Sequence, residues 1–377
     1  MLSIIMNHFK ILRASFIALA AGGAMALTGF DGCHSPTQAG KTDTVTLKTG
    51  PDTTSHNWAW TLSAIADMGT LKGVWVFDDT TIYVVGDMYL HDSESAPNEP
   101  IEYTLAKWNG NVWTYYNLDS SIGYISPALG LFGFSKNDYW YMDGAPAHWI
   151  GPPTNRWIGY NLNSLNLPRG GGDIMNGWGA SSTDMYFALG DYVILHFDGY
   201  NFQQINTGTN LVLRGIWGGL NPKTGKDEVI CVASNEGIAP LGNAIFSVNG
   251  TSSVTQLVTK PMNDSASFFY AASIWFSPGN KYYVGGSQLW WKTNIYDTTA
   301  WNGIPLTFGV LAICGPDTND LLFVGGQGGV EHYNGSTFQN YPSLTVGNYY
   351  SVSMNGNTAC AVGEEGNGPI VLMGKRQ

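Results

Sequence analysis

Three acids in the chain share one local setting. Asp87, Asp191 and Glu364 each follow a glycine that closes an apolar run, at Gly86, Gly190 and Gly363. A carboxylate at such a place projects from a turn. Several together offer a hard oxygen site for Ca²⁺, for which Asp87, Asp92, Glu364 and Glu365 are the candidate ligands. Tyr89, two residues beyond Asp87, and the adjacent rings of Trp290 and Trp291 add large amphipathic surfaces of the kind that stack on sugars or anchor a protein partner. Imidazoles at His148, His196 and His332 are the residues most suggestive of a metal site or a general base. A glycosidase requires two carboxylates at a set separation, and nothing in the sequence selects such a pair. No His-Glu-x-x-His, paired Cys-x-x-Cys or phosphate-loop pattern occurs, and the run Gly325 to Gly329 reads as a turn.

These residues acquire meaning from the elements that carry them. Asp184 and Gly190 stand six residues apart around an apolar run, and the same frame recurs as Thr80/Gly86, Asp138/Gly144, Asp227/Ala233, Asn280/Gly286, Asp320/Gly326 and Asn357/Gly363. The mean spacing of about 46 residues suits a four-stranded propeller blade. A large apolar residue, such as Trp75, Phe132, Trp178 or Trp275, precedes most frames and marks a first strand. Leu71-Lys72-Gly73-Val74-Trp75 matches Leu213-Arg214-Gly215-Ile216-Trp217 almost residue for residue. The third strand and its hairpin recur as Lys107-Trp108-Asn109-Gly110, His196-Phe197-Asp198-Gly199, Ser247-Val248-Asn249-Gly250, Ala300-Trp301-Asn302-Gly303 and His332-Tyr333-Asn334-Gly335, each ending on a turn-forming pair. His148, His196 and His332 therefore occupy one repeat position in three different blades. That makes them structural rather than parts of one metal centre.

After Gly363 there is room for one further strand but not two, and the missing one lies at the other end, where Trp58-Ala59-Trp60-Thr61-Leu62 resembles Phe338 to Tyr341. The sequence thus predicts an all-β, seven-bladed β-propeller over residues 56–377, closed by pairing of the N-terminal strand with the C-terminal blade. Closure makes blades one and seven neighbours. Their loops hold Asp87, Asp92, Glu94, Glu99, Glu364 and Glu365, which together predict an acidic rim. Solvated loop acids are the simpler reading of the same residues.

The repeat resembles that of β-propellers in secreted and surface-anchored bacterial proteins, with units of the form Trp-Gly-x-Ser-x-x-Asp-x-Tyr-x-x-x-Gly followed by His-Tyr/Phe-Asp/Asn-Gly. A weaker likeness to kelch repeats lies in Val284-Gly285-Gly286 and Val324-Gly325-Gly326. Neither brings a catalytic motif. The resemblance implies a non-enzymatic binding or scaffold module that contacts an envelope or extracellular protein or a polysaccharide through rim loops, with a glycoside hydrolase-like enzyme as the alternative. A monomeric domain is expected.

Composition and the N-terminal segment point the same way. With 17 basic residues against 28 acids, a formal charge of −11, the chain lacks the basic surface that nucleic acid requires. Lys10 and Arg13 precede the apolar stretch Ala14 to Leu27, so residues 1–32 read as a signal peptide. Leu27 to Cys33 resembles a bacterial lipoprotein signal, which implies lipidation of Cys33 and a membrane anchor. Residues 33–55, rich in Thr, Ser, Gly and Asp, read as a flexible tether. Cys231, Cys314 and Cys360 cannot all pair with one another. Cys231 and Cys360 lie in apolar runs at equivalent repeat positions, so buried free thiols are expected there.

Overall fold

The computed structural model describes residues 53–91, 100–118, 128–162, 173–235, 242–260 and 271–377. The expected signal peptide, Cys33, almost all of the tether and Asp92, Glu94 and Glu99 lie outside them. Seven four-stranded antiparallel sheets make up the domain. Counting strands a to d outward from the axis, blade one contains Met68–Asp78, Thr81–Leu90, Ile101–Trp108 and Trp113–Tyr116. Blade two contains Gly130–Ser135, Asp138–Met142, Ala147–Ile150 and Arg156–Gly159, and blade three Ile174–Ser181, Asp184–Leu189, Val193–Phe197 and Phe202–Asn206. Leu213–Asn221, Lys226–Asn235, Gly242–Asn249 and Ser253–Lys260 form blade four, and Ser273–Ser277, Lys281–Gly285, Leu289–Lys292 and Asn302–Ile304 form blade five. Blade six has Val310–Asp317, Asp320–Gly325, Val330–Tyr333 and Phe338–Asn340.

Blade seven is built from both ends of the chain. Asn348–Asn355, Thr358–Glu365 and Gly368–Arg376 are its strands a to c, and the N-terminal strand Trp58–Ala64 is its strand d. That strand pairs from Trp58 opposite Arg376 to Ala64 opposite Ile370, as the sequence predicts. Each strand a packs beside the strands a of the two neighbouring blades, so the ring is continuous.

Aromatic rings fill the spaces between blades. Trp75 of blade one lies 4.8 Å from Phe132 of blade two, and Trp140 lies 5.4 Å from Phe187 of blade three. In blades two and four the glycine after the marker aromatic has a packing reason. A Cβ on Gly218 would stand 2.7 Å from the Trp178 ring, and one on Gly133 would stand 2.4 Å from Phe77. Only a bare backbone lets the preceding blade's ring lie flat there. Burying such rings stabilises the domain by about 25 cal/mol per Å² of apolar surface.

Two details differ from the expected repeat. Alignment on the closing glycines misplaces the frame by one residue in four blades. Cross-strand pairs equivalent to Trp178–Tyr186 bring Thr81, Glu228, Lys281 and Thr358, rather than their predecessors, to the position of Asp184. The length of the a–b turn sets the register, and a glycine count does not measure it. In blade five, strand c is Leu289–Lys292, whereas Asn302-Gly303 begins strand d. The long c–d connection is tied down by Lys292, whose Nζ lies 2.7 Å from Asp297 Oδ1. The repeat equivalent of the three histidines in that blade is thus Trp291, not Ala300.

Cys231 and Cys360 are buried free thiols, and burial pushes both well above the ordinary thiol pKa. Cys314 is disulfide-bonded, and its partner lies outside the described residues.

Candidate functional site

Strand b of blade one runs past its closing glycine. At Gly86 the backbone takes φ +148°, the register shifts between Val85 and Met88, and the strand continues to Leu90. This extension sets Asp87 opposite Thr70, and Tyr89 opposite both Met68 and Glu102. From blade seven, Glu364 arrives at the end of strand b opposite Asn348. The two blades meet at this carboxylate. Thr70 Oγ1 donates to its Oε2 at 2.5 Å, and the Tyr350 hydroxyl donates to Oε1 at 2.5 Å. Lys72 places its ammonium 3.9 Å from the centroid of the Tyr350 ring. Next to it, Glu365 Oε1 accepts from the backbone N–H of Val346 at 3.3 Å. An open pocket of about 400 Å³ lies over this seam, walled by Met68, Tyr89 and Pro100 with Thr70, Glu364 and Asn367 beside them. Met68, Leu344 and Val346 are exposed apolar side chains, Val346 at 84%.

Electrostatics separate the roles of these acids. Burial alone raises the Glu364 pKa, but the hydrogen bonds from Thr70 and Tyr350, with help from Lys72, hold it below the usual carboxylate value. Asp87 goes the other way. Burial and the charge of Glu102 raise it against the pull of Lys72, and its Oδ1 is buried without a hydrogen-bond partner. The Tyr89 phenol is raised by burial, by Glu102 and by Asp87, and burial lowers Lys72 while Glu364 and Asp87 oppose it. Four acids thus share the seam with one cation. Such an arrangement accepts hydrogen bonds from basic groups, and it contains no activated nucleophile.

Of the acids expected to hold Ca²⁺, Asp92 lies outside the described residues. Asp87, Glu364 and Glu365 form no metal-ligand group of three among the described residues. The structure brings Asp87, Tyr89 and Glu364 to one seam. Asp191 occupies the corresponding turn of blade three and belongs to no part of it. Trp290 and Trp291 lie in blade five, both half-buried. Trp290 covers Gly303 on strand d, where an added Cβ would stand 3.0 Å from its ring, and Trp291 lies under the Lys281 ammonium at 4.4 Å.

The histidines serve the blades. His148, His196 and His332 are buried, and their Nε2 atoms lie 2.7, 2.7 and 2.8 Å from Oδ1 of Asp138, Asp184 and Asp320 in the same blade. The signal was present in the sequence. An acid in the frame and a histidine in strand c occur together in blades two, three and six. Where the histidine is replaced, the acid or its partner changes too, as Lys281 with Trp291 illustrates.

Lys72 and Arg214 match in the repeat, and nothing in the sequence assigns them a place. Both line the central channel, a cavity of about 360 Å³ bounded by the seven strands a, and among the described residues no Asp, Glu or His lines it. The paired carboxylates that a glycosidase places at its centre are missing from this channel.

The sequence matches no protein-family model and no curated protein. Among solved structures, YCF48 bound to a D1 peptide aligns at TM-score 0.57 and 15% identity over 87% of this chain and 97% of its own. YCF48 from Cyanidioschyzon merolae gives 0.57 and 14% over 84% and 98%. The WD40 β-propeller domain of Doa1 gives 0.58 and 9% over 86% and 98%. At these identities the likeness is one of fold: the chain is a seven-bladed β-propeller.

Proposed function

We propose that the protein is a non-enzymatic binding module that seats an extended segment of a partner protein across the seam of blades one and seven. The observation that carries this reading is the open seam pocket, where apolar walls at Met68, Tyr89 and Pro100 meet the carboxylate of Glu364. An apolar side chain fits the walls, and a neighbouring lysine or arginine complements Glu364, Glu365 and Asp87. A propeller of the same fold, YCF48, is described bound to a D1 peptide, so a peptide is a reasonable class of occupant for this architecture.

Fluorescence-labelled peptides that pair a basic with an apolar residue test the reading. Glu364→Gln and Met68→Ala should each weaken binding about tenfold, while Asp191→Asn leaves it unchanged. Equal affinities across all three variants refute the seam as the site. A polysaccharide is the competing partner class: glycan binding lost on substitution of Trp290 and Trp291 by Ala, with folding retained, moves the site to blade five.

The module is further proposed to work outside the cytoplasm of a bacterium, exported through the segment 1–32 and anchored at Cys33. Intact mass of the membrane-fraction protein tests this: diacylglyceryl modification of Cys33 adds a lipid mass, and an unmodified mature mass refutes the anchor.

A further inference from the structure

The central channel has a property that its surroundings lack. One residue in or just before each strand a forms a girdle around it, three positions before the site of the inter-blade aromatic: Lys72, Leu129, Met175, Arg214, Ala272, Leu311 and Tyr350. Two of the seven are cations and none is an acid, in a chain where acids outnumber bases 28 to 17. Lys72 and Arg214 stand three blades apart, close to the widest separation that a seven-fold ring allows. They differ in what lies behind them. The Lys72 charge is shared with Glu364 and Asp87, as described above. Arg214 makes no ion pair among the described residues, and its Nε donates to the Ser234 carbonyl at 3.4 Å.

A guanidinium with no carboxylate partner among the described residues, facing a cavity, is a seat for an anion, and its fork favours carboxylate geometry. The rest of the wall narrows the class. Phe132, Ile216, Trp217, Ile274 and Val352 are apolar, with Asn176, Ser273 and Ser351 as neutral hydrogen-bonding groups. At about 360 Å³ the channel falls within the roughly 300–1,000 Å³ range of small-molecule sites. The geometry points to a second binding site in the channel for a small organic carboxylate, seated on Arg214, with Lys72 receiving a further anionic group of a di- or tricarboxylate. The site shares Lys72 with the seam, but Arg214 carries it, so it does not depend on peptide binding at the seam.

Calorimetric titration of the full chain with succinate, citrate and inorganic phosphate, at fixed ionic strength, tests the assignment. Saturable binding of the organic acids is expected, weakened about tenfold or more by Arg214→Gln and about threefold by Lys72→Gln. Arg214→Lys, which keeps the charge and loses the fork, should fall between wild type and Arg214→Gln. Glu364→Gln should leave citrate binding in place, so failure of the seam reading and failure of this one are distinguishable. No saturable binding of either organic acid, unchanged affinity in Arg214→Gln, or phosphate bound as tightly as citrate each overturns the site. Should Arg214→Gln not fold, the wild-type protein still decides: saturating citrate should protect Arg214 from phenylglyoxal in a peptide map, and equal labelling with and without citrate refutes the proposal.

Discussion

A buried histidine in this ring is a polar group that has to be satisfied locally, and an aspartate on the adjacent strand does so three times. Each pair joins strands b and c of one blade at a place where a lost partner leaves an imidazole N–H without an acceptor in the interior. Removing the acid is therefore the more costly truncation. Asp184→Ala should destabilise the protein by about 1–3 kcal/mol in equilibrium urea unfolding, an effect dominated by the orphaned His196. The residue chemistry was partly legible beforehand. That the three histidines share a repeat position excludes a common metal site from the sequence alone. The partner was hidden, because alignment on glycines displaced the frame in four blades and obscured the coincidence of acid and histidine. The extension of strand b beyond Gly86 was hidden as well, since the bulge depends on a positive φ that a Gly-Asp pair allows but does not require. Without that extension Tyr89 would not stand opposite Met68.

Among elements, the N-terminal strand carries the heaviest duty for its length. Besides its ladder to strand c of blade seven, it reaches blade six. His56 Nδ1 lies 2.7 Å from His332 Nδ1, His56 Nε2 lies 3.0 Å from Thr337 Oγ1, and Tyr341 donates to the His56 carbonyl at 2.7 Å. Trp58 stacks under the Arg376 guanidinium at 4.5 Å, and Arg376 in turn pairs with Asp320. Trp58→Ala should cost about 3–5 kcal/mol, read from denaturant unfolding. The latch also responds to acid. Burial, then His332 and Arg376, hold the His56 imidazole below its ordinary value of 6.5, with Asp320 opposing. The folded state thus takes up a proton less readily than the unfolded chain. Its contribution is complete above about pH 6.5 and is lost as the pH falls through that value. A Tm that falls between pH 7 and 5 in the wild type, and falls less steeply in His56→Gln, is the expected pattern. The sequence revealed this strand through the arithmetic of the last blade. It did not reveal the contacts with blade six, which arise only once the ring brings Trp58 and His332 together.

At the scale of the whole molecule, the two ends of the domain meet: the N–H of Gln377 donates to the Asn57 carbonyl at 2.8 Å. A short linker from Gln377 to Asn57, with new termini opened between Asn206 and Leu213, should yield a chain in which every blade is built from consecutive strands. Such a permutant should keep the far-UV circular dichroism of the parent. It should melt at a lower temperature, because the gap between blades three and four is then closed by side-chain packing alone. The architecture was readable because a propeller repeats its rules seven times, so an error in one blade is outvoted by the others. The working surfaces were not, because seam and channel are made where blades depart from the repeat, and a departure has no second copy against which to be read.

Closing the ring with the first strand also imposes an order on how the molecule is made. Trp58 waits for Arg376, so the earliest strand to leave the ribosome finds its partner only after the last blade has been synthesised. Until then an edge of the sheet stands open and the most distant contact in the domain is unmade, which slows the final step of folding. Were the chain exported unfolded, as proposed above, it would gain from that delay. Its two ends would then be joined only once both had arrived on the same side.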